Sequence, residues 1–156
     1  MNNKYFSGFT IIEIAVVLAI SILLLTTASM SLTQSEKQNR DNERKADIEM
    51  MAQCLETKFL ATQEYFGTIE DMNKCPKASE FMTPPRQSAP ATVLATNATA
   101  TTSGVRPIPT KDTYVFQPLT ATGVLCTDPL ITPCAKYNLF FVAEAGSGIN
   151  MVSSTR

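Results

Sequence analysis

Residues 9–32 read FTIIEIAVVLAISILLLTTASMSL, an apolar run of about 24 residues whose only charge is Glu13. As a helix this run is roughly 36 Å long, enough to cross a hydrocarbon core of about 30 Å. It is therefore expected to enter a membrane. The other residues of the 156-residue chain, which is 44% hydrophobic and 17% charged, leave room for one ordinary domain and exclude two large ones. Lys4 and the α-amine precede the run, whereas Glu36, Lys37, Arg40, Asp41, Glu43, Arg44, Lys45 and Asp47 follow it with balanced sign. That asymmetry weakly favours an N-terminus inside the cell and an extracytoplasmic remainder.

Composition narrows the function classes. Thirteen Lys and Arg against fourteen Asp and Glu give a net charge of −1, so no basic surface advertises nucleic acid or anionic lipid. With no histidine, a His-dependent triad, a His-ligated metal and the commonest general base are all excluded. A Ser/Lys or carboxylate enzyme is the weakest of three readings, and neither a catalytic residue nor a cofactor is assigned. A secretory signal peptide cut before Ser29, with Thr26 and Ala28 as the small residues, is a bland alternative for the N-terminus. The run exceeds the usual signal core, and a plain signal has no use for Glu13. A carboxylate at the centre of a membrane helix costs on the order of 2–3 kcal/mol on insertion scales, so Glu13 is expected to have a partner.

Gly8, Phe9, Thr10, Ile11, Ile12 and Glu13, followed by a long apolar helix, resemble the class III signal of type IV pilins and pseudopilins. In that family a short polar leader ends in Gly before a Phe. The resemblance implies cleavage between Gly8 and Phe9 by a prepilin peptidase, N-methylation of the new Phe9 amine, and assembly through Glu13 at the fifth mature position. Four residues apart, Phe9 and Glu13 would share a helix face about 6 Å apart along the axis, bringing a cationic amine near a carboxylate. In family filaments the carboxylate is thought to neutralise the amine of a neighbouring subunit. Many type IV pilins carry a Gly and a Pro in this half that permit local melting. Here Ile22 and Met30 stand in the corresponding stretch, with Ser21, Thr26, Thr27 and Ser29 as weak perturbers.

Residues 33–47, TQSEKQNRDNERKAD, are polar all round and read as a solvated helix, with Glu36–Arg40 and Asp41–Lys45 as i,i+4 pairs. Ile48, Met51, Ala52, Leu55, Phe59, Thr62 and Phe66 then recur at helical steps as a core-facing stripe. No Pro or Gly lies between Phe9 and Tyr65, so one nearly continuous helix is expected from 9 to 66, about 87 Å long, with Gly67 as its stop. Residues 67–112 begin with a short, helix-compatible piece, TIEDMNKCPKASEFM, and become an Ala/Thr/Ser/Pro-rich loop carrying the sequon Asn97-Ala98-Thr99. Strands are expected at Tyr114 to Leu119, Leu139 to Glu144 and Ile149 to Val152, the last two joined by a glycine-containing hairpin loop.

The fold class is therefore α+β: a long N-terminal helix whose outer half packs on a small antiparallel sheet, a pilin-like arrangement. Its divisions are a leader (1–8), a membrane and assembly half (9–32), an amphipathic half (33–66), a loop (67–112) and a C-terminal sheet (113–156). The stretch YNLFFVAEAG, with Tyr137, Leu139, Glu144 and Gly146, is similar to the closing strand of many pilin-like proteins. The resemblance is specific over residues 1 to 32, architectural over 33–66 and loose thereafter.

Cys54, Cys75, Cys126 and Cys134 allow three pairings and form no CxxC motif. A four-thiolate zinc site lacks its paired-ligand spacing, and an extracytoplasmic chain is oxidised, which favours disulfides. Local pairing would join Cys54 to Cys75 and Cys126 to Cys134, closing a loop similar to the disulfide-bounded region of pilins. Some pseudopilins bind calcium in their C-terminal region, but Asp128 is the sole acid between Cys126 and Cys134, too few for such a site. The leading expectation is thus a structural filament subunit: a single-pass membrane protein before assembly, then part of a surface filament or periplasmic pseudopilus. Its partners would be prepilin peptidase and copies of itself or related pilins, with nucleic acid left open. The alternative is a membrane-anchored or secreted binding module. Nonreducing mass mapping of exported protein is expected to show the two local disulfides; four free thiols would reject the framework, and another pairing would reject the connectivity alone.

Overall fold

The computed structural model describes residues 8–85, 95–98, 105–126, 131–146 and 148–155. The chain divides into two compact units, Met1–Glu36 and Lys37–Arg156, and one helix, α1 (Ile11–Thr62), contributes to both. In the first unit α1 is the only described element, and it is long and apolar enough to cross a membrane by length and composition. Ser21, Thr26 and Thr27 turn their hydroxyls back onto the carbonyls of Val17, Leu23 and Leu24. These polar groups are thereby satisfied within the helix, as an apolar medium requires.

The second unit is α+β. After α1 come a 3-10 turn (Glu70–Lys74), α2 (Ala78–Phe81) and four strands: β1 (Ala95–Asn97), β2 (Tyr114–Leu119), β3 (Lys136–Val142) and β4 (Ile149–Ser153). The sheet order is β1-β2-β3-β4, with β2, β3 and β4 antiparallel and β1 parallel to β2. Period-2 burial along β3 sends Tyr137, Leu139 and Phe141 inward. They join Tyr114 and Phe116 of β2 and Ile48, Met51 and Leu55 of α1 in one core, with Ala52, Phe59 and Val152 packed at its margin. The helical stripe from Ile48 to Leu55 and the β-rich runs read from the sequence supply the two faces of that core. Gly123 (φ 82°) turns the chain after β2, where its N–H donates to Thr120 O and the Thr120 N–H donates to Val124 O. Few residues other than glycine adopt that backbone without cost.

Several expectations need correction. Helix α1 ends at Thr62, four residues short of 66, and Gly67 does not stop it. Gln63 takes a left-handed backbone (φ 61°) and donates its N–H to Phe59 O at 2.7 Å, closing the helix as a left-handed cap does. Tyr65 then donates its N–H to Cys134 O, and its ring lies 4.6 Å from that of Phe59 and 4.9 Å from that of Tyr137. Tertiary contacts thus end the helix before the glycine is reached. Phe66 is buried beyond the helix, and Thr62 is exposed. Within residues 67–112 the helix-compatible piece holds the 3-10 turn and α2, whereas the Ala/Thr/Ser/Pro-rich stretch expected to be loop contains the parallel strand β1. Strand β3 starts at Lys136 and leaves Glu144 in the connection to β4 rather than in a strand. The side chains of residues 28–31 lie outside the described residues, and with them the alternative cut before Ser29. So do residues 1–7 of the leader, the Asn97 side chain and Thr99 of the sequon, and Asp128.

Because Gln63 occupies a backbone region costing a non-glycine residue about 1 kcal/mol, Gln63→Gly is expected to raise the unfolding free energy by about 0.5–1 kcal/mol. Denaturant unfolding checks it; a loss of stability would show that the Gln63 side chain, not its backbone, closes the helix.

Candidate functional site

At the N-terminal end of α1, Gly8 is exposed and does not have a left-handed backbone, and a Cβ built on it meets nothing within 4 Å. Neither packing nor conformation within the described chain requires a glycine there. Phe9 is 85% exposed and precedes the first helical residue, so the helix face that Phe9 was expected to share with Glu13 is not formed. The cause lies in Thr10. Its N–H and its hydroxyl each donate to Glu13 Oε2 at 2.8 Å, while the Glu13 N–H donates to Thr10 Oγ1 at 3.3 Å. This is a capping box, in which a Thr at the helix entrance and a Glu three residues later satisfy each other's backbone donors. The signature T-x-x-E is legible in the sequence, and the reading of Glu13 as an assembly carboxylate passed over it.

Beyond this end, Ile11, Ile12, Leu18, Leu23, Leu24 and Leu25 are all more than half exposed. Among the described residues, this half of the helix presents an exposed apolar surface.

A second constellation sits at the start of the second unit. Residues 40–47 of α1 were expected to be a solvated face, yet Arg44 has no exposed surface and Asp47 is 5% exposed. Arg44 donates from Nε to Lys111 O (2.9 Å), from Nη1 to Asp41 Oδ1 (2.9 Å), and from Nη2 to both Pro85 O (3.0 Å) and Glu144 Oε1. Arg40 donates from Nε and Nη2 to the same Glu144 carboxylate at 3.0 and 2.6 Å. The Asp41 carboxylate accepts the N–H groups of Glu144 and Ala145 at 2.7 and 2.8 Å. Asp41 thus engages Arg44 and the β3–β4 connection rather than Lys45, and Arg40 reaches across to Glu144. Arg44 combines an i,i+3 pair with Asp41 and pairing across the fold, because burial makes an unsatisfied guanidinium costly.

The neighbouring carboxyls are tuned by these surroundings. Hydrogen bonding from Arg40, with help from Arg44, outweighs burial and holds Glu144 down to about 2. Burial pushes Asp47 up to about 6, although the Tyr114 hydroxyl donates to it at 2.7 Å and Arg44 opposes the rise. Burial, followed by the Asp47 carboxylate, raises the Tyr114 phenol. On the next turns of α1, Glu56 accepts from the hydroxyls of Tyr65 and Tyr137.

The cysteines are joined as Cys54–Cys75, with Cα atoms 6.2 Å apart, and Cys126–Cys134, 5.6 Å apart. The first ties α1 to the segment after the 3-10 turn; the second closes the loop whose Cys134 carbonyl receives the Tyr65 N–H. Among the described residues, no group of three or more His, Cys, Asp or Glu side chains is placed to hold a metal ion. In comparisons with known proteins, the chain matches no family model, no curated protein and no solved structure.

The two tuned carboxyls act on stability in opposite senses. Asp47 binds its proton more tightly folded than unfolded, so its contribution grows as pH falls from about 6 to about 4, by on the order of 3 kcal/mol in the limit. Glu144 is stabilising above its unfolded value near 4.5, and that contribution is lost as pH falls towards 2. Unfolding between pH 3 and 7 is expected to show that Asp47→Asn removes the gain on going from 7 to 4.5. Glu144→Gln is expected to be destabilised at pH 7 and to lose the acid limb. Parallel pH profiles for parent and variants would refute both assignments.

Proposed function

We propose that this chain is a structural subunit, a pilin or pseudopilin, of a type IV pilus-like filament. It enters the membrane through the first half of α1, is cut between Gly8 and Phe9 by a prepilin peptidase, is methylated at the new amine and assembles through that helix. The observation carrying this reading is the junction Gly8-Phe9 directly ahead of a helix whose apolar half is exposed among the described residues and whose only charge there is Glu13. A glycine that the fold does not need is suited to reading by an outside agent such as a peptidase. A long apolar surface suits lipid before assembly and neighbouring helices afterwards. The second unit, here called the head, is held by two disulfides and fits an oxidising exterior, whether as a surface filament or a periplasmic pseudopilus. No reaction is assigned to it. A membrane-anchored or secreted binding module is the second reading, since one apolar N-terminal helix also serves as an anchor or signal.

Glu13 has a double employment in this scheme. In the isolated chain it closes the capping box with Thr10; in a filament its charge would be available to the Phe9 amine of an adjoining subunit. Glutamine serves a capping box as well as glutamate does but carries no charge, whereas leucine does neither and favours insertion.

N-terminal sequencing of the mature protein is expected to begin at methylated Phe9; a start at Ser29 would make it secreted, and an intact Met1 a plain anchor. Gly8 replaced by a bulky residue is expected to keep its leader. Glu13→Gln and Glu13→Leu are both expected to be cleaved yet to yield few sheared filaments. Parental filament yield from Glu13→Gln alone would reduce Glu13 to a helix cap, and parental yield from both would remove it from assembly.

A further inference from the structure

Cys54, Thr57, Lys58 and Ala61 lie at helical steps on one face of α1, beside the Ile48, Met51 and Leu55 stripe that enters the core. The Cys54–Cys75 disulfide draws the end of the 3-10 turn onto that face, so that Lys74, Cys75 and Pro76 form the opposite wall of a trough. Phe66, buried just beyond the helix, completes its lining. Thr57 and Ala61 are too small to fill the space between the walls, and the Thr57 hydroxyl is already spent on the Gln53 carbonyl. What remains is a cavity of about 340 Å³, at the lower end of the range that small-molecule sites occupy.

Among the described residues, two lysines line this trough and no carboxylate does. Lys58 is half-buried, forms no ion pair among the described residues, and holds its Nζ 5.7 Å from the centre of the Phe66 ring. A ring face attracts an ammonium but is no substitute for an oxygen acceptor. Lys74 is exposed and shares its charge with Asp71 at 2.7 Å. Past Lys58 and Phe66 lies a second cavity of about 410 Å³, bordered by Glu64 and Asp71. One cation beside the trough is thus uncommitted, and the carboxylates on the far side would repel a second negative charge.

We propose that the trough binds a small amphiphilic carboxylate, its apolar body against Ala61, Phe66 and the Cys54–Cys75 disulfide and its carboxylate on Lys58. A single charge matches the one uncommitted ammonium, which sets the ligand apart from phosphates and acidic peptides. An uncharged apolar molecule would take water from Lys58 and give no acceptor in return. A bare anion would leave the apolar wall wet. Both halves of the ligand are therefore needed. All of these residues belong to the second unit, so binding depends on neither leader removal nor assembly.

The test is an NMR titration of the full, oxidised, isotope-labelled chain in nonionic micelles, with hydrocinnamate as the probe. Saturable amide shifts are expected at Gly67, Lys74 and Cys75, with a Kd of about 1 mM or below, as suits so small a ligand. Hydrocinnamide, which keeps the ring and loses the charge, and acetate, which keeps the charge and loses the ring, are each expected to bind at least about fivefold more weakly. Lys58→Gln is expected to weaken hydrocinnamate binding roughly tenfold. Lys77→Gln, at an exposed lysine outside the trough that pairs with Glu80, is expected to leave it unchanged. The unfolding midpoint of Lys58→Gln shows whether its head is intact, and the comparison with hydrocinnamide needs no variant at all. Equal affinity for hydrocinnamide or acetate, or parental affinity in a folded Lys58→Gln chain, would overturn the proposal. So would the absence of saturable shifts up to about 10 mM, or shifts confined to the apolar half of α1, which would mean uptake by the micelle alone.

Discussion

A guanidinium removed entirely from water sits at the meeting point of the second unit. Arg44 has no exposed surface, and its N–H groups reach the Lys111 and Pro85 carbonyls and the Asp41 and Glu144 carboxylates. Each acceptor comes from a different part of the chain: the helix itself, the segment after α2, the approach to β2 and the β3–β4 connection. A buried ion pair is weak evidence of net stability, but removing one partner costs about 3–5 kcal/mol because the remaining charge stays dry. Alternative placements of these loops would strand the cation, so the interaction selects one arrangement whatever its net worth. Asp41 adds to this by capping the N–H groups of Glu144 and Ala145, which fixes where β3 ends and β4 begins.

The polar end of the head and its apolar core are thus tied to the same helix. Arg40, Asp41 and Arg44 bind loops, Asp47 accepts from Tyr114 of β2, and Ile48, Met51 and Leu55 join Tyr114, Phe116, Tyr137 and Leu139 in the core. Glu56 and the ring cluster of Phe59, Tyr65 and Tyr137 close the far end, beside the Cys126–Cys134 loop. The outer half of α1 therefore works as a spine with charged, aliphatic and aromatic stations in succession, whereas the inner half, among the described residues, offers apolar surface, self-satisfied hydroxyls and the Thr10–Glu13 cap.

What the sequence disclosed follows from the range over which each feature is determined. The apolar run, the helical stripe from Ile48 to Leu55 and the strand Tyr114–Leu119 are local patterns, and the structure contains them as elements of an α+β fold. The burial of Arg44 and Asp47 was illegible because their acceptors and donors lie up to 100 residues away, and a run of charged residues looks like a solvated face until those partners are known. Strand β1 escaped notice because Ala-Thr-Asn has no apolar alternation; its strand character comes from pairing with β2. The end of α1 was misplaced because Gln63 has no visible stop signal and takes its left-handed turn where Tyr65 meets Cys134. The Thr10–Glu13 box was in plain view, but a membrane carboxylate invited an intermolecular explanation first.

The long reach of the Arg44 cluster also bears on the order in which a nascent chain becomes a folded one. Arg40 and Glu144 are 104 residues apart, and Asp47 and Tyr114 are 67 apart. A ribosome adding about 5–20 residues per second completes α1 seconds before it supplies the groups that let Arg44 and Asp47 leave water. Until the β3–β4 connection has been made, the outer half of the helix is more stable hydrated than docked. Folding of the second unit is thereby deferred until Glu144 has been made, and a chain interrupted before it carries an undocked spine.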